Sequence, residues 1–189
     1  MSTALIKDDA ELVSRLRTPG QCRKAFEDVI KLYSEPLYHT IRRLVPNHED
    51  TNDLLQNTFV KAWMSLENFR GDAKLSTWLY KIAINESLTH LARERKRQNL
   101  SLDDQESAII NQIEADEYFD GNQADLLLRK AIATLPEKQR LVFNMKYFDE
   151  MKYEEMSDIL GTSVGALKTS YHLAVKKIEN FVKKNSLQN

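Results

Sequence analysis

The apolar residues between Cys22 and Val45 fall at Phe26, Val29, Ile30, Tyr33, Leu37, Ile41 and Leu44. Steps of three and four predict a helix, with an interruption or bend near Pro36 and a stop at Pro46. From about Glu49 the same rhythm aligns Leu54, Leu55, Thr58, Phe59, Ala62, Trp63 and Leu66 on one face, and Leu54, Phe59 and Trp63 read mostly as core. Phe69-Arg70-Gly71-Asp72 breaks the pattern. A third stripe follows at Leu75, Trp78, Leu79, Ile82, Ala83 and Leu88 and ends in Arg93-Glu94-Arg95-Lys96-Arg97. This block reads as three or four amphipathic helices, which can share a core although none would be stable alone in water.

From Gln98 to about Asn122 the chain turns polar and acidic, which predicts a tether with room for a short helix around Ile109 to Ala115. A second block starts near Ala124. Leu126, Leu127, Leu128, Ala131, Ile132 and Leu135 predict a helix reaching Pro136, a residue suited to the first turn of the next one. That next helix holds Leu141, Val142, Met145 and Tyr147-Phe148. Tyr153, Met156, Ile159 and Leu160 then form the inner face of a short helix with Glu154, Glu155 and Asp158 outside. Gly161 suits a left-handed helix exit, and Ser163 suits the following N-cap. Val164, Leu167, Tyr171, Ala174 and Ile178 run down a longer helix. The expected fold class is all-α: two small helical domains joined by an acidic flexible linker, with a C-terminal helix-turn-helix. The boundaries expected are 1–97, 98–123 and 124–189.

Composition adds limits. The 189 residues are 42% hydrophobic and 29% charged, with 5 glycines and 4 prolines, as an ordinary globular helical chain would be. Cys22 is the single cysteine, so no internal disulfide or cysteine zinc knot can form; it reads as a small apolar side chain near a helix. No run reaches the length of a membrane span, and Asp8, Asp9 and Glu11 are unlike a secretory signal, so a cytoplasmic protein is expected. The net charge of -1 hides a pattern. Residues 1–97 hold 16 Lys/Arg against 13 Asp/Glu, 98–125 hold 8 Asp/Glu and no Lys/Arg, and 126–189 hold 11 against 7. Two mildly basic blocks flank an acidic connector, which fits a nucleic-acid partner better than the total does.

A short helix, a glycine-bearing turn and a longer helix form the arrangement that places the second helix in a DNA major groove. Lys168, Thr169, Ser170, His172 and Lys176 lie on its outer side and can bond to base edges or phosphates. By periodicity alone an αα-hairpin with a solvated polar face fits as well. Tyr171 reads as core, while His172 is divided between contact and solvation.

Two strings carry a family resemblance. The first is Asp53-Leu54-Leu55-Gln56-Asn57-Thr58-Phe59-Val60-Lys61-Ala62-Trp63, continuing in Phe69-Arg70-Gly71, Ser76-Thr77-Trp78-Leu79-Tyr80-Lys81-Ile82-Ala83 and Asn85. The second is Leu135-Pro136-Glu137-Lys138-Gln139-Arg140, then Tyr153-Glu154-Glu155-Met156 and Leu160-Gly161-Thr162-Ser163-Val164-Gly165-Ala166-Leu167-Lys168. In this order, over about residues 22–97 and 124–182, they resemble the extracytoplasmic-function group of the sigma-70 family. The resemblance implies a sigma factor that directs core RNA polymerase to promoters and assists their melting.

It further implies that Asp53, Gln56, Asn57 and Lys61 face the clamp of the polymerase's largest subunit. Phe69, Arg70, Lys74, Trp78, Asn85, Glu86, Thr89, Arg93, Arg95, Lys96 and Arg97 would serve the minus-ten element. Phe69 and Trp78 could stack on extruded bases, with core packing as the bland alternative. Ser163, Lys168, Thr169, Ser170, His172, Lys176 and Lys177 would serve the minus-thirty-five element, in a domain that also meets the flap of the second-largest subunit. Promoter DNA and an anti-sigma factor are the other implied partners. Two departures stand out. Asn57 replaces the family's frequent acid, and His172 is followed by Leu173-Ala174-Val175 rather than arginines.

Enzymatic chemistry finds no support. There is no nucleophile motif, no metal-ligand spacing among His39, His48, His90 and His172, and no phosphate-binding glycine loop, so neither a cofactor nor a metal is expected. The alternative function is a helix-turn-helix regulator that binds duplex DNA without polymerase.

Overall fold

The computed structural model describes residues 2–45, 47–69, 71, 73–98, 110 and 122–186. Among them, every regular element is helical. The first four helices are α1 (Ser2–Arg17), α2 (Cys22–Leu44), α3 (His48–Met64) and α4 (Leu75–Gln98), with a 3-10 turn at Leu66–Asn68 between the last two. After residue 121 come α5 (Gln123–Ala133), α6 (Glu137–Tyr147), α7 (Tyr153–Leu160) and α8 (Val164–Ser186). The short helix expected around Ile109 to Ala115, and the linker that would carry it, lie outside the described residues apart from Ile110.

The stripe in α2 becomes the axis of the first block. Phe26, Val29, Tyr33, Leu37, Ile41 and Leu44 are all buried, against α1, α3 and α4. Of the interruption or bend expected near Pro36, the interruption does not occur: α2 is helical throughout. A proline inside a helix costs about 3 kcal/mol, but each large apolar side chain buried on either side contributes about 1.5–3 kcal/mol. Asn47 caps α3 by accepting from the Asp50 amide at 2.9 Å. Leu54, Phe59 and Ala62 turn inward. Trp63, expected in the core, is instead 45% exposed: one side of its ring meets Phe26 at 5.0 Å and the other stays open at the end of α3. Cys22 is half-buried as the first residue of α2. The acidic amino terminus gave no expectation of α1, yet Leu12 and Leu16 are buried and Arg15 pairs with Asp28 of α2 at 2.7 Å.

In the second block an Asn122/Asp125 capping box starts α5. Pro136 is the N-cap of α6, just outside its first turn. Arg140 is buried and donates to the Ala133 carbonyl at 3.4 Å, tying the α5–α6 turn. The helix α6 has two buried faces. Phe143 joins Ala131, Ile132, Leu135, Ala174 and Ile178, while Leu141, Val142 and Met145 belong to the core that contains α2, α3 and α4. Met151, Met156, Ile159 and Leu167 extend that core. The second block therefore leans on the first, with α7 against α4 and α6 against α2.

Candidate nucleic-acid interface

The helix-turn-helix is built by local backbone chemistry. Gly161 exits α7 with φ +63°, where any side chain would be strained, and its amide donates to the Ser157 carbonyl at 2.9 Å. Ser163 Oγ accepts from the Ala166 amide at 3.4 Å and opens α8. Leu167, Ala174 and Ile178 anchor α8 inward. Tyr171 is half-buried and stacks on Phe143 with centroids 5.8 Å apart and planes 14° apart, which makes it a packing residue. On the opposite side Ser163, Lys168, Thr169, His172, Lys176 and Lys177 are exposed, and Ser170 is half-buried. Lys168 Nζ also lies 5.7 Å from the centre of the Tyr153 ring.

A second face runs along α4. Phe69 is buried, with its ring 4.9 Å from that of half-buried Trp78, so in this arrangement the two aromatics pack on each other. Arg70 lies outside the described residues. Asn85, Thr89, Arg93, Lys96 and Arg97 are exposed, and Arg97 meets Glu94 at 3.6 Å. Glu86 receives a hydrogen bond from Lys61 of α3 at 2.5 Å, joining a residue assigned to polymerase with one assigned to DNA. Lys74 pairs with Glu155 at 2.6 Å, and Arg95 pairs with Glu137. Lys81 donates to the Asp158 carbonyl at 3.3 Å. Lys74 just before α4, and Lys81 and Arg95 within it, thus meet groups of α6 and α7.

Two features escaped sequence reasoning. Arg17 of α1 donates to the Phe69 carbonyl at 3.3 Å. Its Nη2 lies 2.7 Å from where a β-carbon on Gly71 would sit, and Gly71 has φ +77°. The loop before α4 is therefore shaped by a helix outside both motif strings. The other feature is apolar: Val60, Trp63 and Met64 are 50%, 45% and 76% exposed beside exposed Asp53, Gln56 and Asn57 on α3. An amphipathic period could have revealed it, because Val60 and Met64 stand four residues apart and off the buried stripe.

Where the blocks meet, Asp149 is held by Arg43 and by the Thr40 hydroxyl at 2.9 Å. Burial pushes the Asp149 carboxyl up, against the opposing pull of Arg43 and Thr40. The nearby Tyr80 phenol is pushed up to about 12, first by burial and then by the Asp149 charge. Burial also raises Glu155, but the hydrogen bond and charge of Lys74, with Lys152, outweigh it and leave Glu155 below its ordinary value. Among the described residues no helix is long and apolar enough to cross a membrane.

Comparison with known proteins adds independent evidence. The Sigma-70 region 2 profile matches residues 29–97, and the Sigma-70, region 4 profile matches 125–178. The chain is 30% identical to the "ECF RNA polymerase sigma-E factor" of Escherichia coli (strain K12), covering 92% of this chain and 94% of that protein. It is also 30% identical to the "ECF RNA polymerase sigma factor SigW" of Bacillus subtilis (strain 168), covering 78% and 83%. In fold it is similar to the sigma factor RpoE solved with the anti-sigma factor NepR from Bartonella quintana, with TM-score 0.66, 20% identity and coverage of 85% and 98%. It is also similar to CnrH solved with the cytosolic domain of CnrY, with TM-score 0.69, 20% identity and coverage of 93% and 97%.

Proposed function

Because the chain belongs to the extracytoplasmic-function group of the sigma-70 family, we propose that it joins core RNA polymerase, selects promoters through two separate DNA-reading faces, and assists strand opening. The observation that carries this reading is the presence in one chain, in order, of regions 2 and 4.

On this reading α3 docks on the clamp of the largest subunit. Exposed Asp53, Gln56, Asn57 and Lys61 supply polar contacts, and Val60, Trp63 and Met64 supply apolar area suited to a protein partner. The α8 face, from Ser163 through Lys168, Thr169, Ser170 and His172 to Lys176 and Lys177, reads the minus-thirty-five duplex, while its domain meets the flap of the second-largest subunit. The loop at Phe69–Ala73 and α4 capture the minus-ten strand. Arg70, Lys74, Arg93, Arg95, Lys96 and Arg97 balance phosphate charge, and Asn85, Glu86 and Thr89 lie towards the upstream edge. Phe69 and Trp78 shape the pocket in which an extruded base would be held; stacking by either on a base requires their mutual contact to loosen. Unpairing bases costs free energy, which stacking and phosphate contacts offset.

Residues 98–123 form the acidic connector between the two faces. The protein performs no chemistry of its own and works in the cytoplasm. An anti-sigma protein is the expected regulator, as in the solved assembly of RpoE with the anti-sigma factor NepR.

The test is run-off transcription with purified core polymerase on a genomic fragment library. New start sites that need both proteins are expected. Failure to bind polymerase, with specific duplex binding by the chain alone, would instead identify a polymerase-independent helix-turn-helix regulator.

A further inference from the structure

Leu173 is 43% exposed on α8, and no contact proposed for the minus-thirty-five element uses it. At 3.6 residues per turn it lies one turn beyond Thr169 and one turn before Lys176 and Lys177, all of them exposed. Leu167, Ala174 and Ile178, which pin α8, lie about 100–140° away around the helix axis, so Leu173 takes no part in that packing. Thr169 extends the apolar character of this position. Its hydroxyl donates to the Gly165 carbonyl at 3.1 Å, within the helix. With that proton committed to the backbone, the group Thr169 adds beside Leu173 is its methyl, in the i,i+4 relation that brings side chains together on a helix surface.

Polar and basic side chains border the pair. Around the axis, exposed Lys168 and His172 stand on one side of it and exposed Lys177 on the other. Lys168 Nζ lies 5.7 Å from the centre of the Tyr153 ring, which draws it towards α7 and away from Leu173. A basic border around an apolar centre suits a helix that meets phosphates at its edges and a base edge in the middle. Single exposed leucines are common on protein surfaces, so exposure alone decides nothing. Position does: Leu173 sits where a base edge would be met.

We propose that Leu173, with the Thr169 methyl beside it, reads the 5-methyl group of a thymine in the minus-thirty-five element and so is a specificity-determining residue for promoter choice. This rests on the reading of α8 as the duplex-reading helix. The major-groove edges of the base pairs are donors and acceptors, and the thymine methyl is the apolar feature among them. Leu173 has no hydrogen-bonding group with which to answer the polar edges. Against one of them it would displace water and leave the base group unpaired, which costs free energy. Against a methyl it buries apolar area on both sides. The surrounding cations hold any duplex alike, so Leu173 governs which duplex is chosen more than how tightly DNA in general is bound.

The test uses complexes of core RNA polymerase with the full-length protein to select duplexes from a pool randomised over the minus-thirty-five element. Wild type should enrich thymine at one or more positions. Each enriched thymine is then replaced in turn by deoxyuridine, which removes the methyl group alone. At one position this should weaken binding by wild type about fourfold, the effect of one buried methyl. Leu173→Ala is an exposed change to a stronger helix former and keeps every neighbouring cation, so it should fold. It should bind the thymine and deoxyuridine duplexes alike and lose the preference at that base pair, with the other enriched positions unchanged. Leu173→Arg should move the preference there to guanine, whose edge offers two acceptors.

An enriched element without thymine, or one in which no deoxyuridine replacement weakens binding, would overturn the proposal. So would a methyl effect of equal size in wild type and Leu173→Ala, which would place another residue against the methyl. Weakened polymerase binding by Leu173→Ala with the methyl effect intact would make Leu173 part of a protein contact instead. The broader reading fails differently. If wild type enriches no minus-thirty-five sequence at all, the duplex-reading role of α8 falls and takes this proposal with it. An enriched sequence with no methyl effect sinks the proposal alone.

Discussion

The two basic faces differ in what holds them. On α8, Lys168, His172, Lys176 and Lys177 project from a helix whose opposite side is pinned by Leu167, Ala174 and Ile178. On α4, Lys74, Lys81 and Arg95 are engaged by the other block. A duplex groove is always present to be read, so a rigid, exposed helix suffices. On the proposed reading the duplex-reading helix is open, while part of the strand-reading surface is covered by the second block.

The largest effect that would break this contrast is loss of the α8 platform. Leu167→Ala should destabilise the second block by about 2–5 kcal/mol, read as a lowered thermal midpoint, and abolish minus-thirty-five dependence in run-off assays. If promoter choice survived with α8 unfolded, the division of labour would be wrong. Next in size is Lys168→Glu, which places an acid against the duplex. It should weaken promoter binding by the assembled complex by about tenfold at moderate salt and flatten the salt dependence, measured by filter binding. Unchanged affinity would remove Lys168 from the reading face.

Arg17→Met sharpens the comparison at the α4 end. It should leave duplex binding unchanged but weaken capture of a premelted minus-ten template by about threefold, because the hydrogen bond to the Phe69 carbonyl is lost. Equal loss on duplex and premelted templates would make Arg17 a general stability residue instead.

The smallest effect is that of pH on stability where the two blocks meet. Asp149 faces Arg43, Thr40 and Tyr80, and its carboxyl is raised in the folded chain. Its contribution is full below its ordinary pKa of 3.8 and is lost as pH rises through the raised value. Glu155 faces Lys74 and Lys152 and is lowered, so its contribution is present above its ordinary 4.5 and is lost as pH falls through the lowered value. The two contributions oppose each other as pH falls. Asp149→Asn should remove the first and Glu155→Gln the second, read in the pH dependence of the thermal midpoint.

Much of the fold was legible because burial imposes a period. The stripes of α2, α3 and α4, the left-handed exit at Gly161 and the Ser163 cap are written in residues close together in sequence. Other features were not, beyond α1, the Arg17 contact and the apolar patch of α3. Pro36 signalled an interruption or a bend, and the burial of Tyr33, Leu37 and Ile41 keeps the helix uninterrupted. Trp63 fits the α3 stripe by spacing, but its place at the helix end leaves half the ring open. The pairing of Lys74 with Glu155 joins residues 81 apart, and no local pattern announces it. Of the α8 face, sequence placed every outward side chain but Ser170 on the exposed surface. Along α4 it named the cations but not the acids that meet them.

The most direct test of the account is permanganate reactivity of minus-ten thymines in complexes of core polymerase, full-length protein and a promoter found by run-off. Reactive thymines that appear with the protein, are absent with polymerase alone, and are lost on Lys74→Glu are the result expected. A duplex footprint over the minus-thirty-five element with no thymine reactivity would contradict it, leaving α8 a DNA reader and α4 without the strand it is said to hold.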